Sequence, residues 1–466
     1  MGKTTFLSTA LVAMTAMAFM TPAAVTAAPG FDLEASFLVC ENTDCGGETS
    51  GDDTETSSEI IDASADGNTI VYSDSPGQTV GLIDITDPAA PVGLGAIELD
   101  DEPTSVAVFT GQGGTEYLLV GINSSPGFDE TFDDDHDGSL FVYELDACIA
   151  DAANCPTVAE IPLGGQPDSV GVSPDGSYVA IAIENERDEE ACHTAAGVLD
   201  PGPDNSYYGE DNEDNCTDAG NLFGRLPQPG AGWLAVIADT DTVDPGSWSV
   251  TEVGLTGLAI SYPSDPEPEY VAINSNNEAL VSLQENNALV IVDLDTLTVT
   301  SARDAGFADL RAIDTEEEGL IQLKDDQLMR LREPDGLTWI GTDYFATANE
   351  GDMDGGSRGY TIYTADGTEV YESLSSYDYL QARHGHYPDE RSGNKGSEPE
   401  AVAYSDGFNG QELLFVASER SSTVAVYDIA NKSDPQFMQF LPAVMGPESV
   451  LPLPNRDLLV VANEVD

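Results

Sequence analysis

The stretch PEPEYVAINSNNEALVSLQENNALVIVDL, residues 266–294, contains the pattern that decides the fold. Apolar and polar residues alternate from Val271, and a second alternation ends at Leu283, with the Asn-rich turn NSNNE between them. This pattern predicts a β-hairpin. Glu269 stands before the first strand and Glu285 after the second, so both carboxylates should lie at the same end of the hairpin.

The hairpin pattern recurs along the chain. Similar segments occupy residues 57–74, 102–123, 166–186, 333–350, 398–419 and 446–464, which gives seven copies with the first one. Most copies are followed by a third alternating segment, such as SLFVYEL or TVAVYDI. Short antiparallel strands repeated in this way predict an all-β fold, a β-propeller of seven blades, rather than a β-sandwich.

The seventh blade is expected to be incomplete. The sequence ends at Asp466, directly after the second strand of the seventh copy. Either residues 31–56 complete that blade by closing the ring, or further strands follow in a longer chain.

The N-terminus has the features of a secretory signal. Lys3, an apolar run from Phe6 to Met20 and the small residues up to Ala28 predict a signal peptide over residues 1–28. Residues 29–56 then form a cysteine-bearing segment, and residues 57–466 form the propeller domain. No later segment is long and apolar enough to span a membrane. The protein is therefore expected to be secreted, periplasmic or attached to the cell surface.

The cysteines fall into three pairs that are close in sequence, Cys40 and Cys45, Cys148 and Cys155, and Cys192 and Cys216. In an exported protein this spacing predicts three local disulfides.

The chain is strongly acidic, with 85 Asp+Glu against 15 Lys+Arg and a formal net charge of −70. Such a surface repels nucleic acid and anionic lipid and attracts divalent cations. Adaptation to a salty medium accounts for much of the charge, so that only carboxylates at special positions indicate function. We expect a monomer.

Carboxylates recur at both ends of the repeated hairpin, and a propeller brings these ends to one mouth of its central channel. Before the first strand stand Glu59, Asp168, Glu269, Asp335, Glu400 and Glu448, with Thr104 as the exception. After the second strand stand Asp74, Glu186, Glu285, Glu350, Glu419 and Glu464, with Asn123 as the exception. The sequence thus predicts an acidic ring that binds metal, with Ca²⁺ as the expected ion. Alternatively, each carboxylate bonds to backbone N–H groups or to neighbours such as Arg187 and Arg420.

A second candidate metal site is the loop DDDHDGSLFVYE. Its residues Asp133, Asp135, Asp137, Gly138 and Glu144 have the spacing of a Ca²⁺-binding EF-hand loop, although the flanks are typical of strands. The alternative is a solvated acidic turn. Asp352, near Glu350, is a weaker candidate of the same kind. The predicted metal ligands are Asp133, Asp135, Asp137, Glu186, Glu269, Glu285, Glu350, Asp352, Glu400, Glu419, Glu448 and Glu464.

The few cations gather in the loop RHGHYPDERSGNKGSEPE, residues 383–400. They could hold an anionic small molecule, such as a phosphate ester, next to the metal. The predicted substrate-binding residues are Arg187, Arg391, Lys395 and Arg420. The alternative is charge balance with Asp389 and Glu390. No nucleophile signature is present.

Four segments carry a family resemblance: residues 267–294, YFATANEGD (344–352), RSGNKGSEPEAV (391–402) and LLFVASERSSTVAVYDI (413–429). The sequence from about residue 57 to 466 resembles the choice-of-anchor I domain family. The resemblance implies a secreted or surface-attached β-propeller. The family includes cell-surface glycoproteins and proteins labelled alkaline-phosphatase-like.

Two functions follow as expectations. The first is a calcium-binding surface or extracellular protein that binds a partner. The second is a Ca²⁺-dependent phosphoesterase, in which ring carboxylates hold the metal and the cations hold phosphate. Family members usually carry a C-terminal anchoring segment, which this sequence does not show.

Overall fold

The structure, a computed structural model, describes residues 30–43, 56–125, 136–188, 191–194, 216–217, 219–351, 353 and 355–464. Antiparallel β-strands are the main regular secondary structure of these residues, together with the short helices α1 (Leu145–Ala150) and α2 (Ser376–His384). Within the described ranges, no helix is long and apolar enough to cross a bilayer. The predicted signal peptide, residues 1–28, lies outside the described residues.

Six sheets of four strands form the blades, and in each sheet the strands follow one another in sequence order. Blade 1 contains β1 (Ile61–Ala63), β2 (Thr69–Asp74), β3 (Thr79–Asp84) and β4 (Val92–Glu98), and blade 2 contains β5 (Glu102–Thr110), β6 (Glu116–Asn123), β7 (Gly138–Glu144) and β8 (Thr157–Pro162). Blade 3 contains β9 (Pro167–Val172), β10 (Tyr178–Ile183), β13 (Trp233–Ala238) and β14 (Thr251–Gly254). Blade 4 contains β15 (Pro268–Ile273), β16 (Glu278–Leu283), β17 (Ala288–Asp293) and β18 (Thr298–Asp304). Blade 5 contains β21 (Pro334–Ile340), β22 (Tyr344–Asn349), β23 (Gly359–Thr364) and β24 (Glu369–Glu372), and blade 6 contains β25 (Pro399–Ser405), β26 (Leu413–Ser418), β27 (Thr423–Asp428) and β28 (Gln436–Pro442).

Three smaller sheets have two strands each. They are formed by β11 (Cys192–His193) with β12 (Leu222–Phe223), by β19 (Phe307–Ile313) with β20 (Asp325–Leu331), and by β29 (Pro447–Leu453) with β30 (Leu458–Asn463). The β11–β12 pair belongs to an insertion between the second and third strands of blade 3.

The first strands of the blades surround the central axis. Each contacts the first strand of the next blade, and β29 contacts both β25 and β1. The all-β propeller fold is therefore confirmed. The prediction of seven blades needs correction, because the described chain has six four-stranded blades and the seventh motif copy forms only the β29–β30 pair.

The repeated alternation produces strands because its apolar residues pack between blades. Each blade packs between its two neighbours, which cover its second and third strands. In blade 4, β16 and β17 are buried along almost their whole length. Turns between strands use residues that tolerate a positive φ, such as Asn277 (φ 58°) and Gly176 (φ 72°).

Hydrophobic clusters fill the junctions between successive sheets, including those on both sides of the β29–β30 pair. The N-terminal segment contributes to two of them. Phe31 packs against Phe408 of blade 6, and Val39 lies in the cluster that contains Ala462 of β30. No strand is described in residues 30–43, so this part of the predicted closing segment packs against β30 without pairing with it.

Two predicted disulfides are confirmed, Cys148–Cys155 and Cys192–Cys216. The first joins α1 to the residues that lead into β8, and the second lies in the blade 3 insertion. For the third predicted pair, Cys45 lies outside the described residues.

A carboxylate ring at the propeller axis

The first strand of several blades begins with a proline and an acidic residue at a β-bulge. In β15, Pro268 pairs with Leu283 and Val271 pairs with Val281, so two residues of β15 face one residue of β16. The same shift follows Pro334 in β21 and Pro399 in β25. A bulge changes the direction of the side chains at that point of a strand. The side chains that follow these prolines line the central cavity.

This axial cavity has a volume of about 200 Å³. One residue at or just before the start of each of the seven first strands lines it, namely Glu59, Thr104, Asp168, Glu269, Asp335, Glu400 and Glu448. The structure thus brings together all six carboxylates predicted to precede the first strands, together with the exception Thr104. We call these seven residues the axial ring.

Carboxylates that follow the second strands approach the axial ring from one side. Four groups have carboxylate oxygens that all lie within 4.8 Å of one another: Asp168, Glu184 and Glu269; Glu184, Glu267 and Glu285; Asp335, Glu350 and Glu400; and Glu419, Glu448 and Glu464. Two oxygens bound to one Ca²⁺ at about 2.4 Å each are at most about 4.8 Å apart. The spacing of the groups therefore suits Ca²⁺.

Burial makes these carboxylates hard to ionise together. Burial, and then the charge of Glu350, raises the pKa of Asp335 to about 7. Burial, and then the charge of Glu398, raises the pKa of Glu419 to about 8. The same causes, burial and then neighbouring carboxylates, raise the pKa well above its ordinary value at Asp168, Glu184, Glu269, Glu400 and Glu448. The ring therefore favours protons or bound cations.

Lys395 and Glu350 form an ion pair beside the axial ring. The other carboxylate oxygen of Glu350 accepts a hydrogen bond from the side-chain amide of Gln284. Glu350 is thus held between blade 4 and the loop that leads into blade 6.

The other predicted substrate-binding cations also contact carboxylates. Arg391 donates two hydrogen bonds to Glu398, of 2.9 and 2.7 Å. Arg420 lies 2.6 Å from Glu419, between Nη1 and Oε1. Arg187 Nη1 lies 3.1 Å from Glu285 Oε1. Arg187 and Arg420 therefore form the ion pairs that the sequence left open as the alternative to metal binding.

The charge partner of Arg391 differs from the two considered in the sequence, Asp389 and Glu390. Its guanidinium bonds to Glu398, while Asp389 accepts a hydrogen bond from the backbone N–H of Gly319. Charge balance in this loop is thus made with the residue just before β25.

Three predicted metal ligands, Asp133, Asp135 and Asp352, lie outside the described residues. Asp137 is described and exposed, and its Oδ1 accepts a hydrogen bond from the N–H of Gly138. Strand β7 runs from Gly138 to Glu144, so that these two residues are separated by about 20 Å of extended chain. Glu144 therefore cannot share an ion with Asp137.

Sequence reasoning missed several buried acidic residues at the ring. Glu184, and not Glu186, directly follows its second strand, as Glu350 and Glu419 follow theirs. Glu186 instead accepts a hydrogen bond from Gln166, at 3.2 Å. Alignment of the copies at the strand ends would have identified Glu184.

A second missed set precedes the first strands. Glu267, Glu333 and Glu398 each stand directly before the strand proline and are each 1% exposed. The repeated sequence E-P-[ED] was the available signal.

Comparison with known proteins supports the fold and the family. Residues 238–355 and 353–432 match the choice-of-anchor I domain, which confirms the resemblance over a shorter range than the sequence motifs indicated. No curated protein sequence matches the chain.

Solved structures share the propeller fold at low identity. The RRP9 WD40 repeats are 9% identical with a TM-score of 0.50, and the match covers 87% of each chain. A hydrazine synthase structure from Kuenenia stuttgartiensis is 15% identical with a TM-score of 0.49, covering 90% of this chain and 96% of that chain. Similarity at this level concerns the fold alone.

Proposed function

We propose that this protein, whose residues 238–432 belong to the choice-of-anchor I domain family, is an exported propeller that binds Ca²⁺ at its axial ring. The bound ions would fix the positions of the ring carboxylates, so that this acidic face can bind a surface or extracellular partner. The observation that carries this proposal is the meeting of Asp335, Glu350 and Glu400 within 4.8 Å, at the edge of a cavity lined by further carboxylates.

The chemistry of the ring favours Ca²⁺ over other ions. Its donors are carboxylate oxygens, which hard divalent cations prefer. Ca²⁺ accepts irregular arrangements of six to eight oxygens, whereas Mg²⁺ requires a near-octahedral set. In the described residues the ring contains no sulfur or imidazole donor, so that it lacks the ligands typical of zinc.

An ion at this site would neutralise charges that burial otherwise penalises. Asp335 and Glu400 would supply ligands from two neighbouring first strands, and Glu350 would supply a third ligand from the end of β22. Because Lys395 already contacts Glu350, Ca²⁺ would compete with Lys395 for that carboxylate. The ion would thereby connect blades 5 and 6.

Two features support a position outside the cytoplasm. The Cys148–Cys155 and Cys192–Cys216 disulfides are typical of proteins from oxidising compartments. The choice-of-anchor family itself indicates a surface or extracellular protein. The chain has a net charge of −70, so that its acidic face would suit a cationic partner or a partner bridged by Ca²⁺.

Isothermal titration calorimetry tests the proposal. Wild-type protein should bind Ca²⁺, and the double variant D335N/E400Q should bind at least one equivalent less. The exposed Glu252 on β14 provides a matched control, and E252Q should bind like the wild type. Equal Ca²⁺ stoichiometry in the wild type and the double variant would contradict the axial site.

A second candidate is a Ca²⁺-dependent phosphoesterase, supported by the cations beside the ring. The side chain of Arg420 is 43% exposed and that of Arg391 is 29% exposed, so both could reach a phosphate despite their ion pairs. Hydrolysis of p-nitrophenyl phosphate or phytate that stops with chelator and resumes with Ca²⁺ would favour this activity. Ca²⁺ binding without hydrolysis would support the binding role and contradict the phosphoesterase activity.

A further inference from the structure

Three buried glutamates meet beside the axial cavity, between blades 3 and 4. Glu184 directly follows β10, Glu267 directly precedes β15, and Glu285 lies just past β16. They are 7%, 1% and 4% exposed, respectively. One carboxylate oxygen from each lies within 4.8 Å of the other two, and none of the three lines the axial cavity.

Glu267 lacks a hydrogen-bond donor for one of its oxygens. Oε2 is buried and accepts no hydrogen bond from the described residues. Burial, followed by the charges of Glu285 and Glu184, raises the pKa of Glu267 well above its usual value. A buried carboxylate oxygen without a donor is costly unless a cation or a proton neutralises it.

Arg187 supplies part of the positive charge. Its Nη1 atom lies 3.1 Å from Glu285 Oε1, and its Nε donates a hydrogen bond of 3.1 Å to the carbonyl of Gly224 in the blade 3 insertion. The charge of Arg187 also opposes the rise in the pKa of Glu267. Among the described residues, one guanidinium beside three carboxylates does not balance their charge when all three are ionised.

At the equivalent position in blade 6, side chains of the protein itself neutralise the buried carboxylate. Glu398 precedes Pro399 as Glu267 precedes Pro268, and it is also 1% exposed. Arg391 donates two hydrogen bonds to Glu398, and Lys395 and Arg420 lie 3.6 and 3.7 Å from its Oε1. Protein cations thus surround Glu398, whereas carboxylates surround Glu267.

We propose that Glu184, Glu267 and Glu285 bind one Ca²⁺ ion, which supplies at blade 4 the positive charge that Arg391, Lys395 and Arg420 supply at blade 6. All three ligands are oxygen donors, and their spacing fits a single Ca²⁺. The site is separate from the axial group of Asp335, Glu350 and Glu400, and it does not depend on the function proposed for that group.

The ion would hold the described parts of the blade 3 insertion, including residues 184–188 and 219–232, against the carboxylate groups at the axis. Asn185 follows the ligand Glu184 and donates a hydrogen bond of 2.8 Å to the carbonyl of Gly230. Arg187 bonds to Gly224, and Arg225 donates to the carbonyl of Met353 in blade 5, at 3.3 Å. The insertion therefore reaches from the buried glutamates to the neighbourhood of Glu350.

The test uses the mature chain and Ca²⁺ itself. In calorimetry, E267Q should lose one equivalent of Ca²⁺ that D335N/E400Q retains, while the control E252Q should keep the wild-type number. In thermal unfolding, E267Q should be at least as stable as the wild type in chelator, because a buried carboxylate has been removed. In saturating Ca²⁺ it should be less stable than the wild type.

The order of stability of E267Q and the wild type should thus reverse between chelator and Ca²⁺, which distinguishes a metal ligand from a residue that only packs. If E267Q binds as many Ca²⁺ ions as the wild type, or has the same stability difference with and without Ca²⁺, the buried site is wrong. Failure of the axial site alone would appear as loss of binding in E267Q with no change in D335N/E400Q. If E267Q does not fold, Ca²⁺ binding is measured in E285Q, because Glu285 belongs to this group alone whereas Glu184 also lies within 4.8 Å of Asp168 and Glu269.

Limited proteolysis of the wild type gives an independent measurement. Ca²⁺ should slow cleavage within the described parts of the insertion, including residues 184–188 and 219–232, relative to chelator. An equal cleavage rate in Ca²⁺ and chelator would contradict the role proposed for the ion in fastening the insertion.

Discussion

Glu267 in blade 4 and Glu398 in blade 6 occupy the same position of the repeat, yet their surroundings have opposite charge. Both directly precede the proline that begins a first strand, and both are buried. Glu398 is surrounded by Arg391, Lys395 and Arg420, and Glu267 by Glu184 and Glu285. The repeat thus determines where the carboxylate lies, while residues outside the repeat determine what neutralises it.

The largest expected effect comes from breaking the blade 6 arrangement. R391A removes two hydrogen bonds from a buried carboxylate, which should lower the free energy of unfolding by about 3 kcal/mol. Urea denaturation measures this change. Lys395 and Arg420 remain 3.6 and 3.7 Å from Glu398 Oε1, but they do not replace the two lost hydrogen bonds, so adding E398Q to R391A should recover part of the lost stability. A double variant no more stable than R391A would mean that Arg391 acts through packing.

In the variant D335N/E400Q, which lacks the proposed axial site, Ca²⁺ should affect blade 4 and leave the blade 6 loop unchanged. At a free Ca²⁺ concentration 100 times Kd, one site stabilises the folded state by about 2.7 kcal/mol. Hydrogen exchange should therefore slow around Glu184, Glu267 and Glu285, but not in residues 389–400. A KCl control at matched ionic strength excludes general screening. Uniform protection over both regions would contradict the difference between the blades.

A third prediction concerns pH, measured in chelator. Burial raises the pKa of Glu59 to about 7, against hydrogen bonds from Ser75 and Ser57 that lower it, and the charges of Glu102 and Asp74 raise it further. The folded state therefore holds this proton more tightly than the unfolded state. The resulting stability is present below about pH 4.5 and is lost as pH rises through 7.

The variant E59Q isolates this contribution. After allowance for partial solvent contact, the loss between pH 4.5 and 8 should be about 2 kcal/mol greater in the wild type than in E59Q. Thermal unfolding across this pH range measures it. Parallel pH profiles would show that Glu59 has the same pKa in the folded and unfolded states.

The smallest effect is expected at an exposed ion pair. Arg311 Nη1 lies 3.4 Å from Asp326 Oδ2, and both side chains are more than half exposed to solvent, at 62% and 51%. Water and salt screen this pair, so R311A should change the free energy of unfolding by less than about 0.5 kcal/mol. If R311A lowered the free energy of unfolding as much as R391A, burial of Glu398 would not explain the effect of R391A.

Much of the fold could be predicted because its signals are local. Hairpins such as β15–β16 follow from alternation and an Asn-rich turn, and the Cys148–Cys155 and Cys192–Cys216 pairs follow from short spacing. The blade count could not be predicted in this way. The seventh copy contains the same hairpin signal as the others and is expected to form an incomplete blade, but only strand pairing shows that no other strand of the described residues completes it.

The candidate site divides in the same way. The sequence by itself determined that the acidic residues at the starts of the first strands lie at the axis, because the repeat gives every blade the same local geometry. Alignment of the strand ends identifies Glu184, but only the tertiary structure decided that Glu267 joins Glu285 and which cation neutralises which carboxylate. The physical reason is that charge neutralisation occurs across blades. Arg187 and Glu285 are 98 residues apart in the chain, and no local pattern records which side chains of two packed sheets will meet.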